Sequence, residues 1–428
     1  MFSSVPKRRL APMDYVISIW GINMQIALEF EHPKYVQPAV QEMIRCMNSF
    51  RCKSGLLYIS QIKNDNPTVY KIPSNVKTLK DAAIWMNKEH MPGKNGNKGS
   101  ATIACDDRRI VVTSSHTFND GLFCCKLVEH ISDPTKYGDK FRKVAPIPSS
   151  YYLDYQKEIF AHPKYSVYCA GDSSIYRLYP KRPVSNKKES KYCLPSFSMP
   201  ISEIMGYNKD TKRVQNITEA QWISLALSKY VFQEDKTFKN FGISTVLDLR
   251  RVLPPSKANS PSTQDCIGSI SVTAEPDMDM SLETLGRQMR ANFNKRVKRK
   301  DYLSHHASIW DAVFAFWKPP NPSGIALELS SMGPIRIQLP VTDAWVSLIT
   351  PDKNELGQTS LLTYSIVNKN PSIEPNYVAQ FQSNTLELNE QDGNLYTDMV
   401  EFGLKNLDFK MSVKEAIRAI DDFYGRHK

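Results

Sequence analysis

The six residues His116-Thr117-Phe118-Asn119-Asp120-Gly121 hold the sharpest chemical signal in the chain. An imidazole titrates near neutral pH, so a histidine can take a proton from a hydroxyl or amine as that group attacks a carbonyl. A carboxylate four residues on can hold the turn through an ion pair, and a following glycine permits backbone that other residues resist. The same residue types also suit a histidine beside a helix cap, with no chemistry at all. As metal ligands, His116 and Asp120 would have to share a helix face, whereas they fall in a loop with no third ligand evident, so no metal is expected.

The elements around this loop follow from the residue pattern. Ala101–Cys105 and Arg108–Ser115 are apolar, β-branched runs either side of Asp106-Asp107, which predicts a hairpin whose second strand ends at His116. Leu122–Ile131 has the length and residue types of a helix. A loop at a sheet edge is where catalytic groups often sit. Upstream, Tyr15–Phe30 reads as an early strand, Met24–Glu29, with its approach. Val36, Val40, Met43, Ile44 and Met47 then form one helical face, Gly55–Gln61 a strand, Leu79–Lys88 a short helix and Met91–Ser100 a loop. Downstream, Thr218 with Gln221 predicts a capping-box start to a helix through Tyr230. Thr245–Leu249 and Gly268–Val272 read as strands, and Ser281–Tyr302 as a long helix striped by Leu282, Leu285, Met289, Phe293 and Val297. Ser412 with Glu415 opens a final helix.

A chain of 428 residues, 41% hydrophobic and 23% charged, has room for a large core and excludes collagenous or extensively disordered classes. The segment Pro180–Tyr192, PKRPVSNKKESKY, is polar, basic and poor in bulky apolar groups, which marks residues 181–192 as a linker or crossover. It separates a unit spanning 1–180 from one spanning 193–428, and helices and strands mix through both. That mixture predicts an α/β (α+β) sandwich class.

The formal net charge of +11 attracts anions in general without choosing among them. Within it, Arg287 to Lys300 carries seven basic residues and no acid. Arg287, Arg290, Lys295 and Arg296 are thus candidates for binding phosphate groups, against the plainer reading of a solvated helix face. No nucleic-acid partner is expected. No apolar run suggests a secretory signal or a comfortable bilayer span, so a cytoplasmic protein is expected, with a peripheral lipid surface left open. The eight cysteines show neither CxxC pairs nor zinc-like spacing, and reduced thiols are the simpler expectation. His305-His306 with Asp311 imitates the first motif, but the spacing is longer and Ala312 replaces glycine, so a helical-surface reading is favoured there.

HxxxDG placed after a strand resembles the signature of the CoA-dependent acyltransferase superfamily, which includes chloramphenicol acetyltransferase, condensation domains and plant and fungal acyltransferases. Val246-Leu247-Asp248-Leu249-Arg250 is similar to the DLR strand of those proteins. Gly268-Ser269 falls where they often show Gly-Asn, and Leu329-Ser330-Ser331-Met332-Gly333 is similar to their later SNxG segment. In size and motif style the chain most resembles the fungal alcohol acetyltransferase and detoxifying N-acetyltransferase group. It departs from the pattern at Ser115, where many members carry a first histidine, and at Ser269 and Ser331, where asparagine is usual. The plant-type DFGWG motif is absent.

The resemblance implies two related chloramphenicol-acetyltransferase-like lobes in one chain, hence a monomer, with a tunnel between them. It implies acyl-CoA, with acetyl-CoA foremost, as co-substrate and a small-molecule alcohol or amine as acceptor. His116 would be the general base, and Asp120, Gly121, Asp248 and Arg250 structural, with Asp120 paired to Arg250 across the halves. Ser330 or Ser331 would serve the oxyanion, and the basic run would meet CoA phosphates. The alternatives are a non-catalytic scaffold on the same fold, or a condensation enzyme taking acyl groups from a separate carrier protein.

Overall fold

The computed structural model describes residues 6–55, 57–63, 66–92, 99–137, 141, 150–162, 177–234, 241–252, 266–304, 306–307, 325–352 and 358–427. Along the chain, the strands of its two larger sheets are β1 (Asn23–Phe30), β2 (Val69–Lys71), β3 (Ala101–Cys105), β4 (Arg109–Ser115), β5 (Arg177–Leu178), β6 (Ser196–Pro200), β7 (Phe241–Asp248), β8 (Ile267–Ala274), β9 (Ile325–Ile337), β10 (Val341–Ile349), β11 (Gln358–Asn368) and β12 (Asn376–Phe381). The longer helices are α1 (Pro12–Trp20), α2 (Val36–Cys46), α3 (Leu79–Glu89), α4 (Gly121–Ser132), α5 (Ile217–Gln233), α6 (Leu282–Lys298), α7 (Glu390–Asn406) and α8 (Val413–His427).

Strand β1 is buried on both faces, which is why NMQIALEF shows little alternation. Met24, Ile26 and Leu28 join a core with Val40 and Met43 of α2 and Phe123 and Leu127 of α4. Ala27 faces the other way, onto Leu79, Ala82 and Met86 of α3. The smaller sheet has five strands in the order β10-β1-β4-β3-β2. Its edge strand β10 comes from the second half of the chain and pairs antiparallel with β1 from Val341 opposite Phe30 to Ile349 opposite Asn23. The halves on either side of 181–192 therefore exchange a strand.

The larger sheet runs β6-β12-β11-β9-β7-β8, with β5 pairing at the start of β9. Its parallel members β7, β9 and β11 lie at the centre. One face is covered by α5, α6, α7 and α8 through a core that includes Trp222, Leu285, Met399 and Ile420. The molecule is thus a mixed α/β protein with helices stacked on two sheets. Among the described residues, no helix is long and apolar enough to cross a membrane.

Several local expectations change in three dimensions. The approach to β1 is a helix, α1, begun by Pro12 in its first turn and ended by Gly21 at φ 62°. Of the strand expected over Gly55–Gln61, Tyr58–Gln61 is a strand and pairs with Cys52–Ser54. The N-cap of helix α5 is Asn216, not Thr218, and Gln221 donates to Thr363 Oγ1 and Tyr377 Oη in the core instead of capping. The long helix stops at Lys298, just before Lys300 at φ 59°. The final helix keeps its capping box, with Ser412 Oγ and the Glu415 carboxylate exchanging hydrogen bonds with backbone N–H groups. The 181–192 segment is pinned: Lys181 and Arg182 N–H both donate to Asp392 Oδ2, at 2.7 and 2.9 Å.

Candidate active site

Strand β4 carries the chain to His116, whose N–H donates to the Ile22 carbonyl at 2.9 Å just before β1. The histidine is 7% exposed. The turn behind it closes through Phe118 N–H to Ser115 O and through the Asn119 amide, which donates to Ser114 Oγ. Asp120 then caps α4, accepting the Phe123 N–H on Oδ1 at 2.8 Å.

The other carboxylate oxygen of Asp120 faces the second half of the chain. Arg250 Nη2 lies 2.7 Å from Asp120 Oδ2, with the two side chains 4% and 0% exposed. The Cys266 N–H, at the entry to β8, donates to the same oxygen at 3.1 Å. Arg250 is itself held by Asp248, whose Oδ1 accepts its backbone N–H at 3.1 Å and its Nη1 at 3.2 Å. Asp120 is thereby a cap and a cross-chain anchor at once.

These contacts set the charges. Burial alone would push the Asp120 carboxyl up, but the Arg250 guanidinium and the Phe123 N–H outweigh it and hold the group below its usual range. Burial opposes the Arg250 cation too, and the Asp120 charge more than offsets it, so that group is raised. At His116 burial prevails over the pull of Asp120 and lowers the imidazole below its ordinary value, favouring the neutral base.

Gly121 is required for a reason different from the one its sequence context suggests. Its backbone is not left-handed; instead a Cβ there would lie 2.6 Å from Met332 Sδ on β9. Strand β9 thus passes against the first turn of α4. Ser330 and Ser331 precede Met332 and point to opposite sheet faces, Ser330 half-buried and Ser331 exposed. A register shift between Ser331 and Gly333, and Gly333 at φ 78°, break the strand's regularity there.

The basic candidates lie elsewhere. Arg287, Arg290, Lys295 and Arg296 sit on α6, whose Leu282, Leu285 and Met289 pack onto the helix-covered face of the larger sheet. Arg287 pairs with Glu283, Arg290 with Glu219 at 2.6 Å, and Arg296 with Asp301 at 3.7 Å, while Lys295 is exposed. Arg290 also stacks over Trp222 at 4.6 Å. Three of the four thus pair with carboxylates.

His306 is helical, as expected, but it is not on the surface. The ring is 2% exposed and its Nε2 lies 3.0 Å from the Ile267 carbonyl, next to the residue that anchors Asp120. His305, Asp311 and Ala312 lie outside the described residues. Sequence reading also passed over Cys266, which acts through its backbone and leaves no side-chain signal, and Glu328, a lone acid in the apolar run IALELSS. Glu42, Cys46 and His130 bring three potential metal-ligating atoms within 4.8 Å of one another across α2 and α4. A cation is already in place there: Arg45 pairs with Glu42 and, with burial opposing and His130 assisting, holds its carboxyl down at about 2.

No protein-family model matches the chain, and no curated protein does. Solved structures do. The trichothecene 15-O-acetyltransferase TRI3 from Fusarium sporotrichioides is similar with a TM-score of 0.63 at 12% identity, over 95% of each chain. A variant of the starter condensation domain of rhizomide synthetase, in complex with C8-CoA and Leu-SNAC, gives 0.62 at 11% identity, over 95% of this chain and 96% of that one. The polyketide synthase associated protein 5 from Mycobacterium tuberculosis gives 0.59 at 11% identity, over 99% and 98%. The chain thus has the two-lobed fold that these acyltransferase and condensation structures share.

Proposed function

We propose that this protein transfers an acyl group from acyl-CoA to a hydroxyl or amine of a small molecule, with His116 as general base. The observation that carries the reading is the Asp120–Arg250 pair, which fixes the loop bearing a buried, neutral imidazole where the two halves meet. The fold is shared with a protein named as an acetyltransferase and with one solved in complex with C8-CoA, which supports a CoA thioester as donor.

In this reading His116 takes the proton of the acceptor O–H or N–H as its lone pair attacks the thioester carbonyl. The tetrahedral oxyanion needs a fixed donor, and removing one such donor costs about 3–4 kcal/mol of barrier. Of the two serine side chains, Ser330 is the better placed, because its face of β9 is the one turned away from the α5–α8 core. When the C–S bond breaks, the histidine returns its proton to the departing thiolate, which leaves CoA thiol and an ester or amide. Acetyl-CoA is the first donor to try.

The test is release of free CoA thiol from acetyl- and octanoyl-CoA against mixed alcohols and amines, with wild type and His116→Ala side by side. Acceptor-dependent release that falls at least about a hundredfold in the variant supports the assignment. Undiminished release by a folded variant would sink it. Silence with all donors and acceptors would favour a scaffold or a carrier-dependent condensation enzyme.

A further inference from the structure

The two faces of the larger sheet differ in kind. Ile243, Val272, Leu327, Leu329, Leu361 and Ala379 pack under α5–α8, none more than 1% exposed. On the reverse face Ser244 of β7, Glu328 of β9 and Ser360 of β11 stand side by side in register. Ser269 of β8 reaches the same carboxylate: its hydroxyl donates to Glu328 Oε2 at 2.7 Å. Ser360 Oγ donates to Oε1 at 3.2 Å, and Ser244 Oγ approaches Oε2 at 3.5 Å. Glu328 is 7% exposed, and the serines from three separate strands are buried with it.

Sheet stability alone does not call for this arrangement. Central strands covered on both sides favour β-branched apolar residues, and taking a carboxylate out of water is costly. Hydroxyl donors lower that cost, and each can turn about its C–O bond.

Position gives the cluster a use. Farther along the same face, Tyr364 Oη accepts the Val346 N–H and Gln380 donates to the Val346 carbonyl, so this is the face turned toward β10 and the first-half sheet. At its other margin, Cys266 N–H meets Asp120. From Cys266 to Ser269 is three residues of strand, about 10 Å. The Glu328 carboxylate therefore stands roughly that far along the strand from the Asp120 carboxylate that closes the His116 loop, on the interlobe face.

We propose that Glu328, supported by Ser244, Ser269 and Ser360, is a specificity residue of the acceptor site, accepting a hydrogen bond from a second O–H or N–H of the acceptor. This rests on the acyl-transfer reading above. It names the acceptor class as bifunctional molecules, diols and amino alcohols with a second donor remote from the reacting one, in preference to plain alcohols.

The experiment compares octanol, octanediol and amino-octanol as acceptors for wild type, Glu328→Leu and Glu328→Gln, following CoA thiol release. Wild type should favour the bifunctional acceptors in kcat/KM by about tenfold or more, and Glu328→Leu should bring that ratio close to unity. A ratio equal in wild type and Glu328→Leu overturns the assignment while leaving acyl transfer intact. If the leucine variant fails to fold, Glu328→Gln decides, with a loss of preference for amino-octanol supporting the proposal and an unchanged ratio overturning it. Calorimetric titration of octanediol into the His116→Ala protein reads the same site without turnover. Binding that is lost on adding Glu328→Leu or Glu328→Gln supports the proposal even if catalysis is absent; binding that is missing or indifferent to both changes overturns it.

Discussion

At the scale of single residues, His116 and Asp120 show burial acting in opposite directions through their partners. Burial disfavours the imidazolium and wins, because the nearby Asp120 charge is already engaged by Arg250. A general base must be unprotonated, and the His116 imidazole proposed for that role is lowered from 6.5. The expected kcat/KM profile for acyl transfer is therefore flat at neutral pH and declines only as pH falls below that value. An inflection above 6.5 would count against His116 as the free base. The Asp120 carboxyl is lowered too, so its contribution to stability is complete above its unfolded value of 3.8 and lost as pH falls through the folded one. Asp120→Asn should accordingly flatten the acid limb of stability, followed by far-UV dichroism against pH.

At the scale of elements, α4 and β9 meet with no space for a methyl group. A Cβ on residue 121 would lie 2.6 Å from Met332 Sδ and 3.3 Å from its Cγ. Gly121→Ala should destabilise by about 1–3 kcal/mol, as overpacking does. Because the obstacle is one flexible side chain, Met332→Ala in the same protein should recover more than half of that cost. Urea unfolding of the two single variants and the double variant forms the cycle; strictly additive effects would show that the glycine is needed for something other than Met332.

At the scale of the whole molecule, two devices join the halves: the strand exchange that puts β10 beside β1, and the ion pair of Asp120 with Arg250. Arg250→Ala leaves a buried carboxylate unpaired and should cost about 3–5 kcal/mol in chemical unfolding, with acyl transfer reduced as the His116 loop loosens. Arg250→Lys should restore only part, since one ammonium cannot serve Asp120 and Asp248 as the guanidinium fork does. If Arg250→Ala left unfolding unchanged, the pair would be ornamental to the fold.

How much of this was legible in the sequence depends on range. The hairpin of β3 and β4, helix α4 behind Asp120, the stripe of α6 and the cap at Ser412 follow from local periodicity and turn chemistry, because neighbouring residues alone decide them. The mixed α/β class and the candidate loop followed in the same way. Thr218 misled because Gln221 is consumed by Thr363 and Tyr377, more than a hundred residues away. His306 misled because burial against β8 is invisible to a pattern of histidines. The basic run of α6 offered phosphate candidates beside the plainer reading of a solvated helix face, and pattern alone could not show Glu219, Glu283 and Asp301 pairing with Arg290, Arg287 and Arg296. The sequence by itself determined the local elements and the chemistry its side chains can offer. Only the tertiary structure decided which charges are paired, which glycine faces a neighbour and which sheet face carries Glu328, since those depend on strands that meet only when the chain has folded.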